Sequence, residues 1–158
     1  MRPSEKFDFD GRGEFHAAAL RLFGETRHTL VLLDRKLEDW PIESAAGEQA
    51  LRSALVRGAR LRILLGRTEW VERHAHRLLR LRRDFSERLD IRLLPPGLRL
   101  EESLLVVDRQ HVLRRAHSET LRGSAVLATP SQAEAPGERF ESAWQESIPC
   151  LPATTLGL

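Results

Sequence analysis

Three short, almost uninterrupted apolar runs constrain the fold of this chain more than any other feature of its sequence. They are residues 29–33 (TLVLL), 61–65 (LRILL) and 103–107 (SLLVV). Strands that are buried on both faces carry such continuous runs, whereas strands with one solvated face alternate between apolar and polar residues. We therefore expect these three segments to be the central strands of a sheet that is covered on both faces.

Helical periodicity appears before, between and after these runs, where apolar residues recur at the spacing of one helix face. Helices are expected at residues 14–26, 44–57, 68–85 and 138–147, and further short strands at residues 90–94, 111–114 and 123–128. The strand–helix–strand order of the first half predicts βαβ units. The resulting fold class is α/β, with a mixed, mainly parallel sheet and helices on both faces, to which a hairpin after residue 107 adds antiparallel strands.

The chain has the length of a single domain, and we expect residues 1–158 to form one. Residues 1–12 are expected to be flexible, and the apolar, proline-containing residues 149–158 to form an extended tail. No apolar run approaches the ~20 residues that a membrane-spanning helix needs. With no leader sequence evident and one lone cysteine, Cys150, the expected location is cytoplasmic, with no membrane partner.

Arginine dominates the basic residues of the chain. Of 25 basic residues only Lys6 and Lys36 are lysines, but 23 acidic residues leave a net charge of +2. The planar guanidinium suits phosphate or carboxylate recognition, and a GC-rich coding sequence explains the same bias. The near balance of acidic and basic residues favours a GC-rich coding sequence as the explanation of the arginine bias.

The order of elements resembles one half-domain of the phospholipase D superfamily over residues 14–148. The resemblance is most specific in the strand that ends in Asp108, and a late helix with Phe140 and Trp144 agrees with it. In that superfamily the strand carries His-x-Lys, four further residues and Asp, and a Gly-Ser-x-Asn segment follows. The resemblance implies a histidine that attacks phosphorus, a lysine that binds phosphate oxygens, and a site formed where two half-domains face each other.

This chain departs from the superfamily motif at its catalytic positions. Glu101 stands where the histidine is expected and Ser103 where the lysine is expected, whereas Asp108 matches the aspartate. The Gly-Ser-x-Asn positions hold Arg115, Ala116, His117 and Ser118. A carboxylate at position 101 repels an anionic phosphodiester, and no cation at position 103 offsets that repulsion. We therefore expect an inactive domain that binds a partner protein or an anionic ligand in a remnant pocket, made of Glu101, Ser103, Asp108, Arg115, His117 and Ser118.

Two other functions are compatible with parts of the sequence. The first is a phosphodiesterase or nuclease-like enzyme with an altered site that uses Glu101, Asp108 and His117; the loss of both motif residues argues against it. The second is non-hydrolytic nucleic-acid binding by the basic face of the third helix, where the candidate residues are Arg73, Arg77, Arg80 and Arg83. The low net charge and the absence of interleaved aromatic residues argue against nucleic acid as a partner.

No metal site or cofactor is expected from the sequence. His74 and His76 are two residues apart on a predicted helix, so they point to different sides and cannot easily hold one ion.

A lone half-domain leaves its pairing surface uncovered, which predicts a homodimer through the remnant-site face near residues 101–103 and 114–118. The chain also resembles bacterial domains that are attached to acyltransferases, which makes an acyltransferase the alternative partner.

Overall fold

The computed structural model of the chain describes residues 2–152. Its strands are β1 (Glu5–Asp10), β2 (Thr29–Asp34), β3 (Arg60–Leu65), β4 (Leu89–Leu93), β5 (Ser103–Val107), β6 (His111–Arg115), β7 (Arg122–Leu127) and β8 (Ile148–Pro149). Its helices are α1 (Arg12–Glu25), α2 (Ala45–Val56), α3 (Glu69–His74), α4 (His76–Asp84) and α5 (Pro130–Gln145).

The strands form one mixed sheet in the order β1-β7-β6-β5-β2-β3-β4-β8. Within the described part of the chain, only the pairs β2–β3 and β3–β4 are parallel, and the other neighbouring pairs are antiparallel. The α/β class and the mixed sheet are confirmed, but the expectation of a mainly parallel sheet is wrong. Parallel neighbours need a crossover helix, and such helices connect only β2 to β3 and β3 to β4, whereas short connections join β5, β6 and β7.

The three apolar runs lie at the centre of the sheet, as expected. β2 lies between β5 and β3, with Leu32 opposite Leu105 on one side and Ile63 on the other. These three side chains are at most 1% exposed. The buried runs therefore mark the strands that hold the rest of the sheet together.

Helices cover both faces of the sheet, which confirms that part of the prediction. The larger core lies beneath α1 to α4 and includes Phe15, Phe23 and Leu55. On the opposite face Phe140 of α5 packs over Val106 and its neighbours. Each helix thus buries one apolar stripe against the sheet, which is the main source of stability for helices of this length.

The first strand was missed by the sequence interpretation, which expected residues 1–12 to be flexible. Residues 5–10 form β1 and pair antiparallel with β7. The strand escaped recognition because its sequence, EKFDFD, is mostly charged and only Phe7 and Phe9 are apolar. Phe9 is 2% exposed, and its ring lies tilted at 5.4 Å from that of Phe15. The half-buried Phe7 also packs against the larger core, so both phenylalanines anchor this edge strand.

Two helices also differ from their expected form. The helix expected over residues 68–85 is divided into α3 and α4 at Ala75, whose ψ of 55° is not helical. The last helix begins at Pro130 rather than near residue 138, and it contains Pro136. Proline is well suited to the first turn of a helix because its missing N–H would have no partner there.

The end of the chain is only partly described. Ile148 and Pro149 pair with β4 as a short edge strand, and the remainder of the expected extended tail, residues 153–158, lies outside the described residues. Among residues 2–152, no helix combines the length and the apolar character that a bilayer crossing requires.

Candidate functional site

A cleft of about 480 Å³ opens where the carboxyl ends of β2 and β3 meet the start of β5. Three residues of the predicted remnant pocket line it, namely Glu101, His117 and Ser118. The Ser118 N–H donates to the Glu101 carbonyl at 2.7 Å, so the segments that precede β5 and follow β6 are tied together at the cleft wall. The register predicted from the superfamily motif thus brings these three residues to one place.

Arginines that the sequence interpretation did not name also line the cleft. Arg35 directly follows β2, Arg67 lies just beyond β3, and Arg99 lies on the segment that leads to β5. Arg35 and Arg67 could have been identified from their positions in the sequence, because ligands of open α/β sheets bind outside the carboxyl ends of the parallel strands. Three leucines complete the wall: Leu94, Leu98 and Leu100.

Two of the predicted pocket residues lie beneath the cleft and do not open into it. Ser103 and Arg115 face each other across β5 and β6 and are both 0% exposed. Nη2 of Arg115 donates to Oδ1 of Asp34 at 3.0 Å and to Oγ of Ser103 at 3.3 Å. Asp34, which the sequence interpretation overlooked, is the last residue of β2 and is 3% exposed.

The Arg115 guanidinium is held from several further directions. Its Nη1 donates to the Thr120 carbonyl at 2.8 Å and to the Ser118 carbonyl at 3.3 Å. Its carbon lies 4.5 Å from the ring centroid of Phe15 and 5.8 Å from that of Trp40. A flat, delocalised cation can stack on aromatic rings while its edge donates hydrogen bonds, which an ammonium group cannot do. Arg115, Asp34 and Ser103 therefore form a buried layer behind the residues that line the cleft, called its floor below, and Arg115 is not available to a ligand.

The Asp34 carboxylate accepts hydrogen bonds on both of its oxygens, whereas the buried Nε of Arg115 has no partner among the described residues. The second oxygen of Asp34, Oδ2, accepts from the N–H of Leu37 at 2.8 Å and from that of Lys36 at 3.2 Å. These bonds turn the chain sharply after β2, and Leu37 adopts a φ of 75° within that turn. The buried ion pair consequently fixes both the floor of the cleft and the segment that carries Arg35.

Asp108 does not belong to the cleft, contrary to its place in the predicted pocket. It lies in the turn between β5 and β6, with a φ of 53°. Five strand positions separate it from Ser103, which corresponds to roughly 16 Å at 3.3 Å per residue. Its carboxylate accepts from the N–H of Arg27 at 3.0 Å, of His28 at 2.7 Å and of Thr29 at 3.0 Å. Asp108 therefore fixes the loop before β2 and can take no part in chemistry at Glu101 or His117.

The basic face expected on the third helix is only partly present. Arg73 lies on α3, whereas Arg80 and Arg83 lie on α4, and all three are exposed. Arg77 is instead half-buried, and its Nη1 donates to Glu48 of α2 at 2.6 Å. The four arginines thus do not form one continuous row, because the break at Ala75 separates the first from the rest.

Within residues 2–152, no three histidine, cysteine, aspartate or glutamate side chains are grouped closely enough to hold an ion. His111 is buried, and its Nδ1 accepts from the Ala128 N–H at 2.9 Å. Burial lowers its pKa below the ordinary 6.5, and the accepting Nδ1 requires the neutral ring. His111 is accordingly a structural residue at the end of the sheet away from the cleft.

The sequence comparison places the chain in a family. The model of a domain of unknown function, DUF7931, matches residues 11–156. The chain belongs to this family. No curated protein matches the DUF7931 chain.

Solved structures similar to this DUF7931 domain share its fold at low sequence identity. Nuc, a phospholipase D family member from Salmonella typhimurium, has 13% identity and a TM-score of 0.69, with 95% of this chain and 100% of that chain covered. Phosphatidylserine synthase from Haemophilus influenzae Rd KW20 has 16% identity and a TM-score of 0.68, with 98% and 41% covered. These likenesses show a phospholipase D-like fold.

A third similar structure is TrmBL2, described as an archaeal chromatin protein with a novel mode of DNA binding. It has 16% identity and a TM-score of 0.67, with 92% of this chain and 54% of that chain covered. The DUF7931 chain therefore spans about half the length of TrmBL2 and less than half of the synthase, but matches the whole of Nuc.

Proposed function

We propose that this chain is a phospholipase D-like domain without hydrolytic activity, whose cleft binds an anionic ligand. The observation that carries the proposal is the arrangement at the cleft floor. Ser103, at the position of the superfamily's lysine, is sealed beneath the guanidinium of Arg115, while Glu101 occupies the position of the attacking histidine at the cleft wall. The motif is degenerate in both its nucleophile and its phosphate-binding cation.

The remaining groups offer no replacement nucleophile. Covalent phosphoryl transfer needs an accessible nucleophile and a base or cation that activates it. Ser103 is 0% exposed, and its hydroxyl already accepts a hydrogen bond from Arg115. Charge repulsion disfavours direct attack of the Glu101 carboxylate on phosphorus, while the arginines of the same cleft can still bind the peripheral oxygens of an anion. The alternative is an altered enzyme that uses Glu101, Asp108 and His117. Asp108 lies at the far end of β5 and therefore cannot act together with the other two residues.

The cleft nevertheless presents several cations to solvent. Arg35 is paired with Glu119 at 3.1 Å and Arg67 with Glu69 at 3.0 Å, and all four side chains are at least 40% exposed. Exposed pairs of this kind contribute only about 0–1 kcal/mol, so either arginine can turn to a ligand with little loss. Arg99 has no ion-pair partner among the residues that the structure describes. Together these arginines can donate forked hydrogen bonds to a phosphate or a carboxylate.

The apolar part of the wall strengthens such an interaction. Leu98 is 40% exposed and adjoins Arg99, and Leu94 and Leu100 lie behind it. Apolar side chains displace water around the guanidinium, which raises the strength of its attraction to an anion. A ligand with an anionic group and an adjoining apolar part fits this wall best.

Non-hydrolytic nucleic-acid binding is the second candidate. It is supported by the exposed Arg73, Arg80 and Arg83 and by the fold shared with TrmBL2. Arg77 is held by Glu48, however, and the net charge is only +2. The homodimer through the cleft face, the acyltransferase partner and the cytoplasmic location stay predictions from the sequence.

Calorimetric titration with inorganic pyrophosphate at low ionic strength tests the proposal. Wild-type protein should bind it, and Arg99→Ala should weaken the affinity at least about tenfold, since a charge-assisted hydrogen bond contributes about 1.5–3 kcal/mol. Arg109→Ala is the matched control, because Arg109 is an exposed arginine at the opposite end of β5. Absence of binding at millimolar pyrophosphate, or equal losses in both variants, would overturn the proposal.

A further inference from the structure

The first strand leaves one of its edges open. Within residues 2–152, β1 is the terminal strand of the sheet and pairs only with β7. The Asp10 N–H donates to the Glu14 side chain at 2.9 Å, so it points away from β7. Alternate residues of an antiparallel strand direct their N–H and C=O groups to the same side, and Lys6 and Asp8 therefore direct theirs to the open edge as well.

The charged side chains of β1 divide into two groups. Glu5 is paired with Arg21 at 2.8 Å and Asp10 lies 3.6 Å from Arg122. Lys6 and Asp8 are exposed, and within residues 2–152 neither has an ion-pair partner. They lie two positions apart and so share one face of the strand, on either side of the half-buried Phe7.

We propose that β1 pairs antiparallel with β1 of a second copy of this chain, about a two-fold axis at Phe7. This register places Lys6 opposite Asp8 of the partner subunit, and the two-fold axis repeats the pair. Because both residues direct their backbone groups to the open edge, each such pair exchanges both N–H···O bonds. Phe7 then faces Phe7 of the partner subunit in a non-hydrogen-bonded pair, where side chains approach most closely.

Other two-fold registers place like charges opposite each other. An axis at Lys6 or at Asp8 sets that residue against its own copy, and an axis at Phe9 sets Asp8 against Asp10 of the partner subunit. An axis at Glu5 sets two glutamates together. Like charges directly opposite are destabilising, so charge selects the register centred on Phe7. The same charges would repel most unrelated strands, which is how natural sheets protect their edges.

This edge is distant from the cleft. β7 and β6 separate β1 from β5, which corresponds to about 14 Å at roughly 4.8 Å per strand. No residue of β1 lines the cleft within residues 2–152, so the inference does not depend on the proposed function. It differs from the homodimer expected from the superfamily resemblance, in which the partner would cover the cleft. A single strand pairing buries less than a standard interface of about 1,600 Å², and the expected dissociation constant is on the order of tens of micromolar.

Sedimentation velocity between about 10 and 500 μM protein, together with exchange of charges at the two positions, tests the inference. Lys6→Asp and Asp8→Lys should each weaken the dimer at least about tenfold, because each sets like charges together twice. An equimolar mixture of the two variants should form a heterodimer of near wild-type affinity, since one chain then presents only acidic and the other only basic side chains. Glu134→Lys on α5 is the matched control for the charge change and should leave the affinity unchanged.

Three results would overturn the inference. They are a wild-type protein that stays monomeric throughout the concentration range, a dimer that neither single variant weakens, and a mixture of variants that does not associate. Because the mixture regains affinity only if both variants are folded, recovery also excludes unfolding as the reason for their loss of affinity.

Discussion

Arg115 donates through Nη2 to Oδ1 of Asp34 across 3.0 Å, and neither side chain reaches solvent. Removing two charges from water is unfavourable, and a buried pair is tolerated only where further hydrogen bonds and good geometry compensate. Here the compensation comes from two backbone carbonyls, the Ser103 hydroxyl and the rings of Phe15 and Trp40. This pair is the structural reason that the cleft has a closed floor.

Replacing one member of this pair should destabilise the protein strongly. Arg115→Met leaves the Asp34 carboxylate buried and uncompensated, and we expect the free energy of unfolding to fall by about 3–5 kcal/mol. The double variant Arg115→Met/Asp34→Asn should lose less free energy of unfolding than the sum of the two single variants, because no uncompensated charge then remains buried. Urea unfolding measures all three values, and a loss below about 1 kcal/mol in Arg115→Met would show that the pair is not structural.

Asp108 should matter for stability and not for ligand binding. Asp108→Ala leaves the N–H groups of Arg27, His28 and Thr29 without their acceptor, and we expect a loss of about 1.5–3 kcal/mol. Asp108→Asn keeps one acceptor oxygen and tolerates the positive φ of this turn, so its loss should be smaller. Pyrophosphate affinity should be unchanged in both variants. A specific loss of affinity in Asp108→Asn, without a loss of stability, would return this residue to the functional site.

His111 should make the stability depend on pH. Burial lowers its folded-state pKa below 6.5, so between the two pKa values the unfolded chain binds the proton more readily than the folded chain. The contribution of neutral His111 to the free energy of unfolding is fully present above pH 6.5. It is lost as the pH falls toward the folded-state pKa, at no more than about 1.4 kcal/mol per pH unit.

The variant His111→Asn separates this effect from other titrations. Its side-chain oxygen can accept from the Ala128 N–H in place of Nδ1 and does not titrate. Urea unfolding at pH 7.5 and pH 5.5 should show a smaller difference in the variant than in the wild-type protein. Equal differences would mean that His111 does not control stability in this range.

The central strands and most helix faces could be predicted from the sequence because each is encoded locally. The apolar run of β2 and the spacing of Phe15, Leu22 and Phe23 on α1 depend only on neighbouring residues. The strand β1 was missed because it is held by the packing of two phenylalanines, Phe7 and Phe9, and by pairing with a distant strand.

The cleft could be predicted only in part, because its floor depends on contacts between distant segments. The spacing of the superfamily motif grouped Glu101, His117 and Ser118, and the structure places these three residues at the wall of one cleft. Nothing local marks Arg115 as buried, since its partner Asp34 lies 81 residues away. The arginines of the cleft come together only when β2, β3 and the segment before β5 are adjacent in the sheet.

The most direct test of the account is a phosphodiesterase assay with bis(p-nitrophenyl) phosphate, double-stranded DNA and phospholipid vesicles as substrates. Because the proposal assigns Glu101 and Ser103 to the motif positions, wild-type protein should show no turnover above the rate in buffer, even at concentrations where it binds pyrophosphate. Robust turnover that disappears in Glu101→Gln would contradict the account and identify the cleft as an active site of altered chemistry.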